Sequence, residues 1–168
     1  MALTAMMTAV LAILSPISIP TTPVPITLGL FAVFLTSATL TPLLASSSVC
    51  IYILLGMVGL PVFSNYMGGP QVIVGPTGGY IIGYFAVTFI LSNVCRRTEN
   101  YPLRLTAALL SLMILYLFGT LWYVAISGVS FWYGLSVCVA PFVVIDIAKA
   151  AVALVLADLL SRRITKKK

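Results

Sequence analysis

From Met1 to Cys95 the chain carries no Asp, Glu, Lys or Arg. No soluble domain leaves more than half of its length uncharged, because a small globule must clothe its surface in polar groups. The whole 168-residue chain has 12 charged side chains, 7% of the total, against about 25% in a soluble domain, while 61% of its residues are apolar. A soluble globule, a disordered chain and a disulfide-stapled secreted module are all excluded. What remains is a chain whose solvent is lipid, and in lipid the backbone must satisfy its own hydrogen bonds.

The positions of the charges then set the organisation. Arg96, Arg97, Glu99 and Arg104 form one basic cluster, and Arg162, Arg163, Lys166, Lys167 and Lys168 form another. Residues 105–145 between them are again uncharged. A span takes about 20 apolar residues, and Pro and Gly punctuate the apolar background. Spans are read at about 1–14, 26–40, 43–60, 77–95, 105–127 and 141–160. The expected fold is therefore an all-α integral membrane protein, a single six-helix transmembrane domain over 1–168. An even number of spans puts both basic clusters on one side, and the positive-inside bias makes that side the cytoplasm. Both termini are then cytoplasmic, in a multi-pass protein of the cell (plasma) membrane. The basic balance calls for anionic membrane lipids beside the spans and for no nucleic acid. The opposite side receives the segments 15–25, 61–76 and 128–140, which are uncharged, rich in Pro, Gly and aromatic residues, and long enough to fold back as a rim or lid. With Pro16, Pro20, Pro23 and Pro25, the first is expected to be extended, polyproline-like backbone.

Several chemistries are absent. With no His there is no His-based triad or relay, and no nucleotide motif, nucleophile elbow or metal-ligand cluster occurs. The chain is expected to be no enzyme and to hold no metal or cofactor. Cys50, Cys95 and Cys138 have no paired spacing and read as small buried hydrophobes.

Asp146 and Lys149 are the charges that no membrane edge explains. A sixth helix begun at Pro141 places Asp146 about 7–8 Å and Lys149 about 12 Å from its outer end. The i, i+3 spacing puts both on one face. A charge near a span centre costs about 2.5–3.5 kcal/mol, so the two should pair or face a polar cavity. One reading is an internal ion pair that pins helix packing; the other is a pair of heads aimed into an outward-facing pocket for a polar ligand. Gly75-Pro76-Thr77-Gly78-Gly79-Tyr80 opens the fourth span and can bring backbone close to the same place. It reads equally as a tight entry into a helix. Tyr116, Gly119 and Trp122 recur every three residues on the fifth span. Trp122, Tyr123, Trp132 and Tyr133 fit either an interfacial aromatic belt or rings that line a pocket. Ala5-x-x-x-Ala9, Gly79-x-x-x-Gly83 and Ala153-x-x-x-Ala157 are small-residue faces that admit a neighbouring helix, within this chain or from another.

These residues, in their order and spacing, resemble the BioY family, the biotin-binding subunits of energy-coupling-factor transporters. The resemblance runs along most of the chain. It is carried by Pro23-Val24-Pro25-Ile26-Thr27, by Leu54–Phe63, by Gly75-Pro76-Thr77-Gly78-Gly79-Tyr80, by Tyr116-x-x-Gly119-x-x-Trp122, and by Pro141-Phe142 followed by Asp146-x-x-Lys149-Ala150. Two positions depart from the family pattern. Gly29 stands where Gln is usual, and Val144-Ile145 replaces a usual Pro-Gly. The resemblance implies a biotin pocket near the outer surface, closed by the outer loops, with Asp146, Lys149, Thr77, Gly78, Gly79 and Tyr80 helping to hold the ligand. Tyr84 and Trp122 join Tyr80 as candidates for walling its apolar ring. It assigns the Ala5/Ala9 face to a transmembrane coupling subunit working with two cytoplasmic ATPases. The alternatives are a same-fold subunit for another vitamin, a passive channel, and a structural membrane protein that uses the Asp–Lys pair as packing glue.

Overall fold

A computed structural model describes residues 1–21 and 24–165, the stretch 161–165 as helical backbone. Pro23 of the proline motif, Lys166–Lys168 and the side chains of Arg162 and Arg163 lie outside it. The chain is predominantly helical. Helix α1 (Ala2–Leu14) buries Thr4, Met7, Thr8 and Leu11, a helical stripe that packs on α3. Thr8 Oγ1 donates to the carbonyls of Thr4 (2.9 Å) and Ser48 (3.3 Å), and Ser48 Oγ donates to Thr4 O (3.1 Å), tying the two helices together. The proline-rich segment after α1 is extended as expected, but it also pairs with itself. β1 (Ser18–Ile19) and β2 (Ile26–Thr27) form an antiparallel ladder with Ser18 opposite Thr27 and Ile19 opposite Ile26. The expected span from residue 26 thus begins as strand.

Helix α2 (Gly29–Thr39) follows, its first N–H capped by Thr27 Oγ1 at 2.8 Å. It is buried on nearly every face, packed between α5 and α8, so it needs no amphipathic stripe. Helix α3 (Pro42–Met57) starts with Pro at its first position and Thr41 as N-cap, accepting from Leu44 N–H at 3.3 Å; both are standard starts. The chain then turns back. Phe63 lays its ring where a Cβ on Gly56 would sit, 2.1 Å away, and meets Tyr52 edge-on with centroids 5.6 Å apart. Ser18 Oγ donates to Asn65 Oδ1 (2.8 Å) and accepts from Asn65 N–H (2.9 Å), fastening the hairpin to the 61–69 loop.

A short helix α4 (Pro70–Val74) leads into α5 (Gly78–Arg97). A Cβ at Gly78 would lie 1.6 Å from the carbonyl oxygen of Ile73, so the α4–α5 junction admits only glycine there. Helix α6 (Tyr101–Ser127) stops at Gly128, whose φ of 67° is left-handed, a common helix ending. The 128–140 segment is largely the helix α7 (Phe131–Cys138), joined at a 51° bend to α8 (Val143–Thr165). Leu110, Met113, Ile114, Leu117 and Leu121 of α6 face outward uncovered, as apolar side chains do only where lipid or protein covers them.

Helices cover the six segments read as spans, with shifted ends. By length and composition α5 and α6 are each long and apolar enough to cross a bilayer, and α7 with α8 qualify as one broken span. The first three are shorter, with 13, 11 and 16 residues. At 1.5 Å per residue even the longest reaches about 24 Å, short of a hydrocarbon core of about 30 Å.

Candidate functional site

At the loop-bearing end the helices leave a small cavity of about 60 Å³, lined among others by Thr27, Leu30, Thr77, Tyr80, Tyr84, Tyr116, Phe142, Asp146 and Lys149. That is room for a few water molecules. Above it, between the hairpin and the 64–77 segment, lies a second cavity of about 410 Å³. Pro25, Ser64 and Thr77 line both, so the two are adjoining chambers of one site.

The floor of the site is ionic. Lys149 Nζ donates to Asp146 Oδ1 at 2.8 Å, within the first turns of α8. It also donates to the carbonyl oxygen of Thr27 at 2.8 Å. Tyr116, reaching across from α6, donates its hydroxyl to Asp146 Oδ2 at 2.7 Å. The side chains of Asp146 and Lys149 are only 5% and 10% exposed, so both heads are largely withdrawn from solvent. An ammonium has three donors and a carboxylate has about four acceptor positions. Two donors of Lys149 are committed among the described residues, and each carboxylate oxygen of Asp146 has accepted one bond. The pair is therefore held by Tyr116 and the Thr27 carbonyl and keeps hydrogen-bonding capacity beyond the bonds it makes among the described residues.

The structure divides the expected site residues into two groups. Asp146, Lys149, Thr77, Tyr80 and Tyr84 converge on the cavity. Tyr80 is steadied by its hydroxyl, 3.2 Å from Thr120 Oγ1, and by Gly119, where a Cβ would strike its ring at 2.3 Å. Gly78, Gly79 and Trp122 do not line it. Trp122 lies against Gly79, where a Cβ would meet its own Cβ at 2.3 Å, and donates its indole N–H to Gly75 O at 3.0 Å. The glycines and the tryptophan shape the turn that delivers Thr77 and Tyr80. Ala5 and Ala9 are remote from the site. Both are exposed on α1 and line, with Ile51 and Leu55, an apolar groove of about 580 Å³ beside α3. Ala153 and Ala157, by contrast, are buried inside the bundle. Of the cysteines, Cys95 and Cys138 are buried and Cys50 is exposed, against the expectation for all three.

Two partners of the ion pair have no signature in the sequence. Tyr116 stood in a spacing motif that gave no hint of its partner across the bundle. The Thr27 carbonyl has no side-chain signature at all; only the hairpin that turns it inward brings it to Lys149. The departures from the family pattern are accommodated. Asp146 N–H bonds to Phe142 O at 2.8 Å, so α8 winds through Val144-Ile145 and carries Asp146 in its first turn. Gly29 leaves its space to the hydroxyls of Ser15, Thr27 and Tyr84.

Comparison with known proteins agrees along the whole chain. The model of the BioY family matches residues 1–166. A biotin transporter BioY of Thermotoga maritima is 37% identical over 155 residues, covering 89% of this chain and 88% of the relative. A probable biotin transporter BioY of Pyrococcus horikoshii is 38% identical over 156 residues, covering 93% and 92%. Among solved structures, the S-component for biotin from an ECF-type ABC transporter superposes with a TM-score of 0.88 at 26% identity, over 96% of this chain and 89% of that one.

Proposed function

The chain belongs to the BioY family, and from that premise we propose that it takes up biotin as the membrane-embedded binding subunit of an energy-coupling-factor transporter. The observation that carries the reading is the Asp146–Lys149 pair on the cavity floor, clamped by Tyr116 and the Thr27 carbonyl and holding hydrogen-bonding capacity in reserve. As a pair it is electrically neutral. It suits a neutral group that donates and accepts side by side more than a lone anion. The ureido ring of biotin has two N–H donors for Asp146 and a carbonyl acceptor for Lys149. The rings of Tyr80 and Tyr84 flank the apolar part of the bicycle, and the acid tail extends into the upper chamber. Together the chambers approach the size of small-molecule pockets, about 300–1,000 Å³.

The six helices are read as six spans, the three short ones completed by the loops, with both termini in the cytoplasm of a plasma-membrane protein and lipid around the apolar faces. The basic Arg96–Arg104 segment and the C-terminal tail then mark the inner side, and the pocket opens outward. No nucleotide motif is present in the chain, so energy for import comes from partners, two cytoplasmic ATPases acting through a transmembrane coupling subunit. The exposed Ala5/Ala9 groove is the surface where a helix of that subunit fits most closely.

The test is binding to purified protein. Biotin should raise the melting temperature in proportion to the logarithm of its concentration once above the dissociation constant, and riboflavin and thiamine should not. A response to one of those vitamins instead of biotin would reassign the ligand. Response to none would leave the Asp–Lys pair as packing alone and defeat the proposal.

A further inference from the structure

The first turn of α2 carries no side chain at Gly29, and three hydroxyls surround the space it leaves. A Cβ there would lie 2.8 Å from Ser15 Oγ, 2.9 Å from Thr27 Oγ1 and 3.2 Å from the Tyr84 hydroxyl. The backbone at Gly29 is ordinary right-handed helix, so what glycine provides is space, not a forbidden conformation. Its own N–H donates to Thr27 Oγ1 at 2.8 Å, and the same Thr27 offers its carbonyl to Lys149 at 2.8 Å. We propose that Gly29 is a positioning residue for the ligand: its missing side chain lets Thr27 close against α2 and so fixes the carbonyl that aims Lys149.

The three neighbours differ in how they would yield to a methyl group. Ser15 is 2% exposed at the end of α1 and Tyr84 is 8% exposed on α5, both packed in the core. Thr27 is half-buried in a two-residue strand and is bonded on both sides, by its Oγ1 to Gly29 N–H and by its carbonyl to Lys149. A side chain at position 29 therefore presses on the residue whose carbonyl holds Lys149. The displacement is passed to Lys149 and appears in ligand affinity, while the helix itself loses nothing, since Ala is a better helix former than Gly.

The inference rests on biotin as ligand, so wild-type binding is measured beside the variants by equilibrium dialysis with labelled biotin. Gly29→Ala should bind biotin about tenfold more weakly, the range of coupling between contacting residues, with a ligand-free melting temperature equal to or above wild type. Adding Ser15→Ala should recover part of the loss, because it frees space on the opposite side. In a Lys149→Ala background, Gly29→Ala should cost less than about twofold, because nothing remains to be aimed. Unchanged affinity in Gly29→Ala, or an equal loss with and without Lys149, would overturn the positioning role while leaving biotin binding intact. Failure of the wild type to bind biotin would instead overturn the functional reading, and this inference with it.

Discussion

Helix α8 carries two ion pairs about 18 Å apart, and they are built to opposite ends. Near the loops, Asp146 pairs with Lys149 on the same helix and takes a phenol from Tyr116. Near the basic end, Asp158 pairs with Arg104 of α6. Arg104 also donates to the carbonyls of Thr98 (2.9 Å) and Cys95 (3.2 Å), the last turn and cap of α5. The arginine thus ties three helices together and neutralises the carbonyl end of one of them. It is turned inward to the protein, and its fork is spent on protein acceptors. The lysine pair lines a cavity. Two pairs of the same charge types therefore differ in what surrounds them, and on the function proposed above that difference separates a structural clamp from a recognition site.

Substitutions can break the contrast. The largest effect is expected from Lys149→Ala, which should weaken biotin binding by at least about 100-fold. Loss of a desolvated charged partner commonly costs about 2–5 kcal/mol. Equal affinity in wild type and variant would dissolve the distinction between the pairs. Arg104→Ala should act on the other axis. It takes one donor from Asp158, which is partly exposed, and from two helix-end carbonyls, for about 1–2 kcal/mol of folding stability, read by thermal or denaturant unfolding in detergent. Biotin affinity of the folded fraction should stay within about twofold, since the clamp is remote from the cavity. Tyr116→Phe should weaken biotin about tenfold by releasing one oxygen of Asp146, a charged-acceptor bond worth about 1.5 kcal/mol. An affinity equal to wild type would show that Lys149 alone orients the carboxylate. The smallest change should come from Trp122→Phe. It removes the N–H to Gly75 while keeping the ring against Gly79, for about 1 kcal/mol of stability and little change in affinity. A loss as large as that of Tyr116→Phe would place the tryptophan among the ligand contacts after all.

Much of this arrangement was readable in one dimension and some was not, for reasons that follow the residues. The six helical segments, the loop-bearing end and the Asp146–Lys149 pair were legible because each leaves a local mark: an uncharged run, a Pro or Gly cluster, an i, i+3 spacing. The β1–β2 hairpin was not, since four prolines specify extended backbone without specifying a partner. Trp122 is ambiguous in the sequence because an aromatic at helical spacing fits a belt, a pocket wall or a buttress alike. Only the position of Gly79 against it chooses among them.

By itself the sequence determined the apolar setting and the helical class, because these depend on where charged groups are missing and every residue votes on them independently. The tertiary structure alone decided what Asp146 and Lys149 touch. Tyr116 is 30 positions from Asp146, and the Thr27 carbonyl is 122 from Lys149. No local preference couples residues so far apart. They meet because α2 packs in the middle of the bundle between α5 and α8, α6 packs against α8, and a buried charge is stable only where such partners have been brought to it.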